Sequence, residues 1–559
     1  MRLVLVIVQR RALVALCLGL LAGACGRAGG DSGRGGTIII ATAQDADILF
    51  PPTTTTNEGK AVTDLLFDRL ADRGPSLNTV GDSDFVPRLA QRWEWSRDKL
   101  QVTFHLDPRA RWHDGRPVRA ADVRFAFSVY TDPMVSARGG GDLRAILDSI
   151  SVGDSLACIA WFKRQTPEQF DQLVTTLVPL PEHLLGGIRR DSLATSAFAR
   201  QPIGNGPFRF VRWEPGLRIE IAANADSYRG RPKLDRVIWT VAPEQQTLVN
   251  QLFAGEADFL ETLTVEDAAA ATKRTDIRVL RRGNYDNNFL RFNLRDGATD
   301  RPHPIFGDRA LRRALTMALD QRAMVRSVFD TLGHVGLGPF VRAQWSADTT
   351  LAEIAFDRAA ATRALDSLGW RAGADGVRTR NGRPLAFSLL VPASSKNRNR
   401  FAVLVQEQLR QVGVRVELEP LDINALGARL IARRFDAIMD GLTLTPSPSG
   451  LRQTWTSSAV ANGGFNFGGF VNPAFDAQVD SAVTAGDMSS AKAHYRAAYR
   501  IIIGDAPAIW LYEPPQASGA NHRLQVGTLR ADAWWYGLPT WSIAPGARLP
   551  RDEMPAKSP

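Results

Sequence analysis

The stretch Phe85–Val123 reads FVPRLAQRWEWSRDKLQVTFHLDPRARWHDGRPVRAADV. Within it Leu100, Val102, Phe104 and Leu106 alternate with Gln101, Thr103 and His105, the period-two pattern of a half-buried strand. Asp114-Gly115 supplies a turn, and the spacing of Val123, Phe127 and Tyr130 predicts a helix over 120–130. His113 and Asp114 stand side by side, but neighbouring side chains on extended backbone point opposite ways, so a turn braced by Trp112 is the simpler reading than a proton relay. The same interleaving continues outward. Thr37–Ala43 (TIIIATA) is a β-branched run suited to a buried strand. Asp308–Phe329 reads as one long helix, with Leu311, Leu315, Ala318 and Leu319 on one face. Arg400–Val412 is another, stopped by Gly413 and followed by the strand Val414–Leu418, and Ala474–Ile503 is largely helical up to Gly504 and Pro507. Strands and helices alternating along a whole chain imply α/β domains with mixed sheets.

At 559 residues, 44% hydrophobic and 23% charged, the chain holds several domains with cores of their own, and its composition excludes disorder and low-complexity fibres. The formal charge of +10 is carried by arginine, because only eight of the 68 basic residues are lysine. These residues are spread out with no basic run of five, which reads as compositional bias and gives no nucleic-acid patch. Three cysteines exclude a disulfide-built fold, with Cys158 read as a buried small hydrophobe. The seven histidines are scattered, and no metal-ligand spacing, phosphate loop or nucleophile elbow occurs, so no cofactor is expected.

The N-terminus is an address. Met1–Ala24 carries Arg2, Arg10 and Arg11 before an apolar run, Ala12–Ala24, of about 20 Å as a helix, too short for a ~30 Å bilayer core. This is a secretory signal. Its end, Leu21-Ala22-Gly23-Ala24-Cys25, resembles a bacterial lipobox, which implies lipidation of Cys25, with residues 25–36 and their six glycines as a tether.

Several long blocks recur in one order: Pro87–Ala90, Trp93, Trp95-Ser96, Val102–Phe104, Trp112–Val118 and Ala121–Val123; Gly204–Phe208; Asn224–Tyr228; Leu252–Asp258; Asp308–Asp320; and Leu365–Trp370. Together they closely resemble the family 5 extracellular solute-binding proteins, the peptide, opine and nickel receptors of ABC importers. The resemblance covers about 37–515. It implies an α/β, two-lobed periplasmic-binding-protein-like fold (type II, cluster C) with an additional N-terminal domain. Lobe I would combine 37–70, 204–283 and a return over 504–559, the inserted domain would span 71–203, and lobe II would span 284–503.

The resemblance also implies where a solute sits. Asn57 and Glu58 follow a Thr-rich loop that faces the cleft in relatives. Asn284–Asn288, with Tyr285 and Asn287, precedes a strand near a hinge crossing and either clamps a solute or solvates a loop. In peptide-binding relatives a strand near 435–448 supplies an aspartate for the peptide's amino terminus, and here Thr445 takes that slot. A hydroxyl cannot balance a buried ammonium, so Asp440 or Glu58 would have to substitute. Thr443 and Thr445 either alternate on a strand or line the pocket. Trp455, Trp534, Trp535 and Tyr536 are candidates for cleft walls, whereas Trp93, Trp95 and Trp112 are assigned to core. Asn462–Asn466, with Phe465 and Asn466, resembles a stretch near the family's pocket.

The expected function is a membrane-anchored extracytoplasmic receptor that binds a peptide or similar small solute and delivers it to an ABC permease by hinge closure. It would act as a monomer and not as an enzyme. The rivals are a sensor or scaffold lipoprotein of the same fold and a secreted hydrolase.

Overall fold

The computed structural model describes residues 35–553 apart from 297–300, 352 and 462–463. The signal, Cys25 and Asn462 lie outside the described residues.

The β-branched run Thr37–Thr42 becomes a central strand, parallel to Arg236–Val241 on one side and to Phe259–Leu260 on the other. Ile38 and Ile40 are buried on one face and Ala41, with the half-buried Ile39, on the other, as a strand covered on both faces requires. It anchors a seven-stranded sheet completed by Ile277–Arg282, Gln516–Asn521, Arg218–Ala223 and Phe208–Glu214. A second sheet of five strands runs in the order Arg415–Leu421, Ala386–Pro392, Ala437–Thr443, Asp286–Phe292, Ala508–Tyr512. A third, antiparallel sheet joins Ala90–Trp95, Gln101–Leu106, Ala157–Phe162 and Leu147–Val152, with Val102, Phe104 and Leu106 turned inward.

The chain passes between the two large sheets twice, at 283–285 and at 513–515. Asn284 ties the crossings together by donating to the carbonyl of Pro514. Ala508–Tyr512 pairs with Asp286–Phe292 in the second sheet, so the return to the first sheet begins at Gln516 and not at 504. The long helix expected over 308–329 is two helices, Arg309–Met317 and Gln321–Phe329. The apolar stripe continues across the break, but Asp320 leaves helical geometry and its side chain accepts from Ala323 N–H.

The Trp-His-Asp-Gly block explains itself. Trp112 is buried and donates to Asp122, whose carboxylate also receives the N–H groups of Arg119 and Glu182. Gly115 turns with φ +90°. His113 Nδ1 accepts from Gly204 N–H and Nε2 donates to the Gly206 carbonyl, each at 3.1 Å, so the ring is neutral with its proton on Nε2. Gly204 must be glycine, because a Cβ there would lie 1.9 Å from the Leu66 carbonyl oxygen. This clamp fastens the third sheet's domain to the first sheet, and one hydrophobic core that includes Phe67, Trp112, Phe198 and Trp239 runs through both. A separate core fills the second lobe around Phe289, Leu315, Phe401 and Tyr512. The molecule is therefore two packed bodies joined by two short strand-to-strand crossings, the arrangement in which hinge motion is cheapest.

Candidate functional site

A cavity of about 640 Å³ opens between the two bodies at the crossings. One wall is the helix Asn57–Leu66. Thr56 caps it by accepting from Gly59 N–H, and Asp47 gathers the hydroxyls of Thr54, Thr55 and Thr56. Burial raises the Asp47 carboxyl, but those hydrogen bonds outweigh it and hold the group down at about 2. The Thr-rich loop thus sets the start of the helix, and helical periodicity then points Asn57, Lys60 and Asp64 into the cavity.

The facing wall is the end of the second sheet. Asp286 and Thr443 are directly opposed on antiparallel strands, and Thr443 Oγ1 donates to Asp286 Oδ1 at 2.7 Å. Leu444 N–H donates to the Tyr285 carbonyl at 2.7 Å, which continues the pairing to the cavity rim. Tyr285, Thr443 and Thr445 line the space, as do Trp534, Trp535 and Tyr536 from the C-terminal segment. Trp535 Nε1 donates to Asp64, Trp534 stacks on Phe259 with centroids 4.8 Å apart, and the Arg530 guanidinium lies 3.9 Å over the Tyr536 ring. These aromatic walls are therefore rigid.

The lining is strongly charged, yet most of its charges cancel in pairs. Asp64 binds Arg69 at 2.6 Å, Asp68 binds Arg229 at 2.5 Å and Asp72 binds Arg88 at 2.5 Å. Glu261 binds Arg282 at 3.0 Å, Asp532 binds Arg530 at 2.6 Å, and Arg73 binds the buried Asp171 at 2.5 Å. Lys60, Arg138 and Asp286 stand outside this network. Among the described residues, none of the three has an oppositely charged group within ion-pair reach.

Other expected site residues lie elsewhere. Glu58 accepts from Thr42 Oγ1 at 2.8 Å and turns away from the cavity, with burial raising its carboxyl. Asn287 is 1% exposed and donates to the Gly338 carbonyl, while the cavity takes its neighbour Asp286. Asp440 cannot serve as a free anchor, because it binds Arg291 at 2.6 Å. Arg291 is 0% exposed, and Trp455, Phe289 and Phe467 cage its guanidinium at 4.6, 5.1 and 5.9 Å. Trp455 is thus part of the lobe core and not a cleft wall. Asn466 is buried and donates to the carbonyls of Thr456 and Phe470, fixing a loop, and Phe465 packs on Phe467 outside the cavity. Lys60 and Arg138 line the cavity without having been expected there, Lys60 at i+3 spacing from Asn57; Asp286 belongs to the polar run 284–288 that was expected either to clamp a solute or to solvate a loop.

Among the described residues no cluster of His, Cys, Asp and Glu is arranged for a metal ion, and no helix is long and apolar enough to cross a membrane. Burial pushes the Cys158 thiol up to about 12.

Comparison with known proteins adds four findings. The profile described as bacterial extracellular solute-binding proteins, family 5 Middle, matches residues 84–463. The oligopeptide-binding protein AppA of Bacillus subtilis is 25% identical over 526 residues, 93% of each chain. Its structure in complex with a nonapeptide superposes with a TM-score of 0.67 at 24% identity, covering 91% of this chain and 99% of that one. NikZ of Campylobacter jejuni in complex with Ni(L-His) gives 0.68 at 23% identity, covering 90% and 99%.

Proposed function

The chain belongs to the family 5 bacterial extracellular solute-binding proteins, and from that premise we propose that it captures a peptide or peptide-sized solute and hands it to an ABC importer. The observation that carries the reading is the 640 Å³ cavity between two bodies linked by two crossings. That volume equals about twenty waters at ~30 Å³ each and falls within the usual range for ligand pockets. A solute touching both walls favours the closed arrangement by its differential contacts with the two states, and no covalent step is needed. Paired ions and fixed aromatic faces suit recognition, so we read the protein as a receptor and not as an enzyme.

The nonapeptide bound by AppA and the Ni(L-His) bound by NikZ bracket the solute classes. The peptide class is favoured because the lining is rich in groups for amide, carboxylate and aromatic contact and poor in histidine. Lipidation at Cys25, a flexible tether and action as a monomer complete the proposal, together with assignment of 37–70, 204–283 and the C-terminal return to one lobe and 71–203 to a domain fused to it.

Native mass spectrometry of residues 26–559 after gentle purification tests the reading. Co-purified peptides or one small solute mass are expected. An empty protein, unshifted in melting temperature by peptide, opine and sugar panels, would overturn it.

A further inference from the structure

A second cavity, of about 580 Å³, lies within the second lobe and shares no lining residue with the cavity between the bodies. It opens between the helix Arg309–Met317, the C-terminal end of the helix Met488–Asp505 and the loop that carries Leu351 and Ile354. Arg313 and Met317 are one turn apart and share a face of the first helix, as Arg500, Ile503 and Gly504 do on the second. Met317, Leu351, Ile354 and Ile503 make an apolar floor. Through Glu353, Ile354 and Ile503 the groove meets an inner chamber of about 20 Å³, room for about one water. An elongated ligand therefore lies along the groove and does not enter the lobe. Trp510 lines that chamber, 6% exposed, and its indole N–H has no partner among the described residues.

Two guanidiniums edge the groove without a counter-ion. Arg500 is exposed, and its side chain makes no hydrogen bond or ion pair among the described residues. Arg313 donates to the Gly504 carbonyl at 2.9 Å and pairs with no carboxylate. The acidic groups beside them are committed. Asp505 binds Arg309 at 3.0 Å and accepts from Asn472, and Asp357 accepts from Ala360 N–H to cap its own helix. Glu353 has no such partner, but burial raises its carboxyl against the pull of Arg342 and Arg322, which favours the neutral form. Capping a helix C-terminus accounts for Arg313. It does not account for Arg500 or for an apolar floor left open beneath two cations.

We propose that this groove is a second binding site, separate from the solute cavity, for a single-chain anionic amphiphile of the fatty-acid class. The carboxylate is held between Arg313 and Arg500, and the chain lies on Met317, Leu351, Ile354 and Ile503. The volume suits such a molecule, being within the usual range for small-ligand pockets. Guanidinium matches carboxylate by charge and fork geometry, whereas a cationic head meets like charge and a short chain leaves the floor wet. Because the two cavities share no residue, this ligand and the transported solute bind together.

The test is calorimetric titration of residues 26–559 with hexanoate, octanoate and decanoate, and with decyltrimethylammonium as a chain of equal length and opposite charge. Each two added methylenes should tighten binding about fivefold or more, and the cationic chain should bind at least tenfold more weakly than decanoate. Arg500→Glu, at an exposed position, should weaken decanoate at least fivefold, Arg500→Lys less than threefold. Leu351→Asp, which charges the floor, should weaken it at least tenfold. Lys60→Met, in the other cavity, should change decanoate affinity less than twofold. Absence of decanoate binding, equal binding of the cationic chain, or loss of binding in Lys60→Met with none in Arg500→Glu would overturn the site. So would capture by phosphatidylglycerol vesicles without binding of free decanoate, which would make the surface a membrane contact. None of these outcomes bears on the receptor reading, which rests on the cavity between the bodies.

Discussion

Replacing His113 by alanine should change how stability depends on pH, in a direction fixed by the clamp geometry. Both ring nitrogens are engaged, Nδ1 as acceptor from Gly204 N–H, so a protonated ring loses that bond and places a charge beside Arg209. Burial first, with Arg209 adding to it, holds the His113 pKa at about 4 against an ordinary 6.5, although the bond to Gly206 opposes the shift. In the window between these values the unfolded chain binds more protons than the folded one, so stability falls as the pH drops from about 7 toward 4. From pH 8 to pH 5 the two pKa values give a loss of about 2 kcal/mol from this one group. Other buried acids titrate nearby with the opposite sign. Burial raises Asp171 to about 6 despite its bonds to Arg73, so the wild-type slope alone does not report the clamp. The difference between wild type and His113→Ala does. At pH 8 the variant should be less stable, having lost two hydrogen bonds and packing. At pH 5 that deficit should shrink by about 2 kcal/mol, since alanine carries no protonation cost. Urea unfolding followed by tryptophan fluorescence at half-unit pH steps measures it. A deficit that stays constant from pH 8 to 5 would refute a neutral, clamped histidine.

Three further outcomes follow from named contacts. Gly204→Ala should prevent native folding or lower the melting temperature by more than 10 °C, because the new Cβ would meet a backbone carbonyl at 1.9 Å; thermal scanning checks it. Asp440→Ala should cost about 3–5 kcal/mol by stranding the fully buried Arg291, whereas Glu407→Ala, which breaks the solvent-exposed pair with Arg410, should leave the unfolding midpoint almost unchanged; denaturant titrations of both variants compare them. Glu168 accepts from Thr79 and Ser447 hydroxyls, each at 2.6 Å, and so bridges the two bodies outside the cavity. Glu168→Ala should therefore favour the open form and weaken solute affinity about five- to thirtyfold, at about 1–2 kcal/mol for the lost bridge, with no change in solute selectivity; titration against the wild-type panel reads this.

Much of the fold was legible because its constraints are local. Trp112, His113, Gly115 and Gly204 are fixed by turns and close approaches that admit few residues, so they stand out in the chain. The alternation at Gln101–Leu106 and the spacing at Ala120–Tyr130 translate directly into a strand and a helix. The site was less legible for three physical reasons. Its ion pairs join residues far apart in sequence, as with Arg291 and Asp440, separated by 149 positions, so nothing local marks Asp440 as spent. The strand Asp286–Phe292 is buried on both faces beyond its first residue, which erases the alternation that would have turned Asp286 to the cavity and Asn287 inward. A tryptophan caging an arginine and one walling a cleft have the same sequence signature, so Trp455 and Trp535 could not be told apart before packing was known. The break at Asp320 was hidden because the apolar stripe runs on through it while the cap acts at a single residue.

The claim on which the account turns is that solute closes the two bodies on each other. Double electron–electron resonance on residues 26–559 addresses it most directly, with spin labels on cysteines introduced at the exposed Leu217 of the first lobe and Val403 of the second. The native Cys158 is buried and does not compete for label. A broad distance distribution is expected without solute, becoming narrower and shifting when the co-purified solute saturates the protein. A distribution unchanged by saturating, calorimetrically verified ligand would contradict closure and, with it, the coupling of this cavity to transport.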